Sequence, residues 1–173
     1  MKTRFSIIGA ALLLAAVLGS SAGDKQPART GSQEFERMKS LVGTWTGKVD
    51  MGNGPVEMTA TYSLIAGGSV VEERVFAGTP QEMTTMYYDR KGKLMATHYC
   101  ILGNQPQFVL KSSDANSLTF DFDKSCGIDV KKESHMHGLK IVFNDANTIT
   151  TSCVSYMDGK PSPGHETVLT RVK

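Results

Sequence analysis

The sequence predicts an all-β protein: about ten antiparallel strands in up-and-down order, closed into a barrel, preceded by a short helix. Three observations carry this. Apolar and polar residues alternate with period two through most of the chain, clearest in Val56–Ile65. Turn residues recur at short, regular intervals. No helical run separates the strands, which excludes a βαβ architecture. Closure follows because a long meander left open would expose two sheet edges.

The elements follow in chain order. Lys2 and Arg4 precede an apolar run from Ile7 to Leu18, and small residues follow as far as Gly23. That is the pattern of a secretory signal peptide, residues 1–22, with cleavage after Ala22. Its apolar run, about 12 residues, falls short of the roughly 20 that a spanning helix needs. Residues 23–33 read as a flexible leader, and 34–173 as one barrel domain. Within it, Phe35, Met38 and Leu41 recur at helical spacing over Glu34–Leu41. Strands are then expected at Thr44–Met51, Val56–Ile65, Ser69–Phe76, Glu82–Tyr88 and Lys93–Ile101. Five more follow at Gln107–Lys111, Leu118–Phe122, His135–Phe143, Thr148–Met157 and His165–Val172. Asp158-Gly159-Lys160 reads as a turn.

Removing Lys2 and Arg4 with the signal leaves 19 − 2 = 17 basic residues against 17 acidic ones. A neutral chain without a basic stripe offers nucleic acid no electrostatic footprint. Export implies an oxidising compartment, where a disulfide such as Cys100–Cys126 would contribute about 3 kcal/mol. Three separate thiols, Cys153 included, fit the spacing equally well.

Candidate site residues come from the strand faces. Val56, Met58, Ala60, Tyr62 and Leu64 share one face, as do Leu118, Phe120 and Phe122, and Leu139, Ile141 and Phe143. They suit an apolar barrel lining. His98 shares a face with Leu94, Ala96 and Cys100, and His135 and His137 with Leu139. If these strands line one interior, His98, His135 and His137 could hold zinc or another transition metal. His98 alone could anchor a ligand, since neutral imidazole both donates and accepts. Tyr99, Asn104 and Gln105 are candidates for polar contacts at a cavity mouth, and Tyr62 and Phe120 for contacts inside. Glu72 and Glu73 are neighbours on a strand and face opposite sides, so they cannot form a catalytic pair. No nucleophile elbow, phosphate-cradling loop or His-Glu-x-x-His motif is present. Enzymatic activity is therefore the class with the fewest supporting residues. The expected partner is a small hydrophobic or amphipathic molecule.

Gly43-Thr44-Trp45-Thr46-Gly47 after a short helix resembles the opening of lipocalin-like, calycin-type barrels. There a Gly-x-Trp plugs the barrel floor. Gly67-Gly68-Ser69, Met83…Tyr87, the block Leu94 to Pro106, His137…Phe143 and Thr170-Arg171-Val172-Lys173 resemble an exported bacterial lipocalin-like family of largely unassigned function. The likeness spans roughly 34–173. It implies a role for Trp45 at the base, with Arg171 stacked on it, and a location that is periplasmic or secreted. A second resemblance is to nitrobindin-type haem-binding barrels, which carry Gly-x-Trp-x-Gly-x-Gly. Here the third glycine is replaced by Val49. That resemblance implies haem as cofactor and His165 as its axial ligand.

Overall fold

Residues 30–173 are described by a computed structural model. The expected signal peptide, and the leader up to residue 29, lie outside the described residues. Helix α1 (Gln33–Lys39) opens where Ser32 accepts a hydrogen bond from the Phe35 N–H, an N-cap that satisfies one orphan donor. Asp89 anchors that cap by accepting from the Ser32 backbone and hydroxyl. Phe35 and Met38 are buried from the helix, and Leu41 follows them into the core.

The strands are β1 (Gly43–Asp50), β2 (Pro55–Ile65), β3 (Val70–Val75), β4 (Met83–Arg90), β5 (Lys93–Tyr99) and β6 (Gln107–Ser113). β7 (Ser117–Phe122), β8 (His135–Phe143), β9 (Thr148–Met157), β10 (Lys160–Ser162) and β11 (Glu166–Arg171) complete them. Each strand from β1 to β9 pairs antiparallel with the next; β9 then pairs with β11, and β11 with β1. The ring therefore closes with ten strands, as expected. β10, within the segment read as turn and loop, is an addition. It pairs with Ser155–Met157 of β9, while β11 takes Thr148–Ser152 of the same strand. The two act as one wall strand broken at Pro163-Gly164. At Gly164 a Cβ would collide with the Cys153 carbonyl, so the close approach requires glycine.

One pole of the barrel is plugged. Trp45 is fully buried, and its indole N–H donates to the Leu41 carbonyl at 2.8 Å. The Arg171 guanidinium lies 4.2 Å from the Trp45 ring centroid and donates to the carbonyls of Ser40, Val42 and Ala146. This is the stacked plug that the resemblance implied. The core packed with it includes Leu94, Leu118, Ile141, Ile149 and Leu169, together with Tyr62, Val71, Tyr87, Phe108 and Phe120. Met58, Phe120 and Ile141 belong to this one core.

Two expectations about faces need correction. Val56 and Leu64 are exposed, although they alternate with Met58, Ala60 and Tyr62. β2 has 11 residues and overhangs the barrel at both ends, so only its middle faces the core. In β8, a register shift between Met136 and Gly138 breaks the alternation. Met136 and Leu139 thereby face the interior cavity, and the two histidines do not line it.

Candidate functional site

Toward the other pole the packing loosens into a cavity of about 120 Å³. Its walls include Val49 from β1, Met58 from β2, Met83 from β4, and Met136 and Leu139 from β8. Met51, Phe76 and His165 stand at the rim, because they also line surface depressions outside it. Phe76 holds φ at +54°, a left-handed backbone that costs a bulky residue roughly 1–2 kcal/mol. The segment between β7 and β8 folds across one side of this pole, burying parts of Cys126, Ile128 and Val130 against the core.

The polar part of the cavity is built from three adjacent strands. In β3, Val71, Glu73 and Val75 point inward while Glu72 and Arg74 point out, the ordinary alternation of a strand. Glu73 is thus carried into the interior. Its two carboxyl oxygens accept hydrogen bonds from the Tyr62 hydroxyl of β2 and the Tyr87 hydroxyl of β4, each at 2.7 Å. Thr85 of β4 supplies a third donor. The accessible part of Glu73 faces the cavity. Burial pushes its carboxyl above the usual carboxylate range, and the hydrogen bonds from Tyr62, Tyr87 and Thr85 pull against that shift. Both tyrosines are pushed well up, by burial first and by the Glu73 charge second.

His98 of β5 lies beside them. Its Nδ1 is 2.9 Å from Thr85 Oγ1, and burial pushes its pKa down to about 4, so the ring is neutral near pH 7. Which atom donates across that contact follows the imidazole tautomer. Nε2 has no partner among the described residues, and it is not one of their sealed, unpartnered polar atoms. His98 itself lines the cavity.

Of the ligand contacts expected from sequence, the structure brings His98 and Tyr62 together through Thr85 and Glu73. Phe120 is fully buried beneath the cavity against Tyr87, with ring centroids 6.1 Å apart. Tyr99 is exposed on the face opposite His98. Asn104 donates to the Ser134 carbonyl, and Gln105 to the Gly103 carbonyl within its own turn. None of these last three lines the cavity: Tyr99 faces out of the barrel, and the amides of Asn104 and Gln105 are taken up by backbone carbonyls.

The three-histidine set is not assembled. His135 donates from Nδ1 to the Glu133 carbonyl and meets His137 Nδ1 through Nε2 at 2.8 Å. Both rings pack against Phe122 and Tyr156, apart from the Thr85 partner of His98. Among the described residues no group of three His, Cys, Asp or Glu side chains is placed to hold a metal ion. Cys100, Cys126 and Cys153 stand as free thiols, one of the two arrangements left open by their spacing. His165 stands at the rim with Nδ1 on the Asp50 carbonyl at 2.9 Å. The residues present do not fit haem. A cavity of about 120 Å³ lies below even the 300–1,000 Å³ typical of drug-sized ligands.

Sequence reasoning missed Glu73, Thr85 and Tyr87. The signal for Glu73 was legible: Val71-x-Glu73-x-Val75 places a carboxylate on the apolar face of a strand.

Known protein families and curated proteins yield no match to this chain. A solved structure from Nostoc punctiforme, a protein of unknown function in the DUF3598 family, is similar in fold with a TM-score of 0.55 at 13% identity. The alignment covers 78% of this chain and 49% of that one, so this chain spans about half the neighbour's length. The likeness is one of fold.

Proposed function

We propose that the protein is an exported binding module that holds a small, compact amphipathic ligand inside its barrel. The observation that carries this reading is the Glu73–Thr85–His98 corner opening on a cavity whose remaining wall is mostly apolar, with methionine and aliphatic side chains prominent. Placing a carboxylate there for packing alone would be costly, because a buried polar group lowers stability unless it is fully partnered. Small-molecule sites combine an apolar wall with a few convergent polar groups in this way. The size sets a limit. An apolar cavity of roughly 150 Å³ accommodates benzene, so the occupant is of about that bulk. Thioether side chains adapt to irregular shapes and suit such a wall.

Native mass spectrometry of protein purified from its own cell envelope tests the reading. A retained small molecule, held several-fold less well by His98→Ala, is expected; loss of one hydrogen bond corresponds to about 1 kcal/mol. Protein that carries no added mass, and whose methionine methyl resonances ignore a panel of compact ligands, would remove the cavity from consideration.

A further inference from the structure

We infer that the ligand of this cavity is a compact organic cation, a primary or secondary ammonium whose N–H groups are taken by the carboxylate of Glu73. The inference rests on the binding role proposed above for the same cavity and adds the charge of what is bound.

The first argument is the missing partner. Buried charges in proteins are paired, yet among the described residues no lysine or arginine lines the cavity. Arg74, next to Glu73 in sequence, points outward and pairs with Glu82. Arg171 is committed to the plugged pole. The groups that do face Glu73 are the hydroxyls of Tyr62 and Tyr87 and, through Thr85, the neutral His98. They solvate the carboxylate without neutralising it.

The second argument is the donor count. The hydroxyl protons of Tyr62 and Tyr87 are both spent on Glu73. What Glu73 offers a guest is carboxylate oxygen, an acceptor. A carboxylate guest would meet a like charge here. Hydroxyls of Thr151 and Thr167 and the Cys153 thiol lie elsewhere on the lining and can serve a second polar group of the guest. The third argument is the wall: polarisable methionine thioethers cover the alkyl body, and the Phe76 ring at the rim suits a passing cation.

The test uses protein labelled at the methionine methyls and three probes of nearly one shape: isobutylamine hydrochloride, isobutanol and sodium isobutyrate, at pH 7. The amine is expected to shift the methyls of Met58, Met83 and Met136 and to bind at least tenfold more tightly than isobutanol, with isobutyrate weakest. Glu73→Gln should bring the amine down to the alcohol's affinity. Should that variant fail to fold, the amine-to-alcohol ratio on the unaltered protein decides by itself. Alcohol or isobutyrate binding as tightly as the amine overturns the cationic assignment and leaves the binding role standing. No shift with any of the three overturns both.

Discussion

His98 and Glu73 are displaced in opposite directions by the same burial, and their effects on stability run in opposite directions with pH. His98 falls from its usual 6.5 to about 4 in the folded protein, so between these values the unfolded chain binds more protons. Stability from this group is complete above pH 6.5 and is lost as pH falls through 4, by about 3 kcal/mol in all. His137, lowered by partial burial and by His135 beside it, adds to the same slope. Glu73 is raised above 4.5, so its contribution declines as pH rises from 4.5 through its folded value. Urea unfolding from pH 4 to 8 should therefore show a shallower rise in His98→Gln and a smaller falling component in Glu73→Gln. Tyr87→Phe removes a donor from a buried carboxylate and should cost about 1.5–3 kcal/mol at pH 7, read by the same titration. Face assignment alone did not identify these residues, since a lone Glu reads as a solvated charge until its strand is known to close around it. What made Glu73 a site is Tyr62 and Tyr87 arriving from two neighbouring strands.

At the scale of elements, alternation predicted β1–β9 and β11 because one face of each is buried and the other wet, which fixes the register. It failed in β8, where the extra residue at Met136–Gly138 puts a thioether in the cavity and sends His135 and His137 into a ring cluster with Tyr156. Hydrogen-bond register, unlike hydrophobic pattern, leaves little trace in one strand's own residues. The close contact of β1 and β11 belongs to the same scale. Gly47 lies where a Cβ would meet the Val168 carbonyl of β11, so Gly47→Ala must push the two strands apart. A loss of about 1–3 kcal/mol is expected by thermal unfolding, as for overpacking elsewhere. Faster amide exchange along Thr46–Gly47 and Leu169–Thr170 should mark the loosened seam.

The whole molecule is a closed ring whose last joint is the β1–β11 seam, and Arg171 pins that joint. It spans Ser40, Val42 and Ala146 by hydrogen bonds while covering Trp45. Arg171→Ala should lower stability by about 2 kcal/mol or more, and Arg171→Lys should recover little, because an ammonium cannot reproduce the planar fork. Differential scanning calorimetry of the two variants checks this. The closed barrel was legible from strand count and short loops. The size of its cavity was not, because packing depends on how side chains from ten strands interlock, which no single segment records.

The plug also decides which way the molecule faces. The described chain enters beside α1, where Ser32 is tied to Asp89, and leaves beyond Arg171, where the Val172 N–H donates to the Thr44 carbonyl. Both ends of the described chain thus lie at the sealed base, and the rim of Met51, Phe76 and His165 looks the other way. A bead, surface or fused domain attached beyond Arg171 would hold the barrel like a cup by its foot, with the opening turned toward whatever is to be caught.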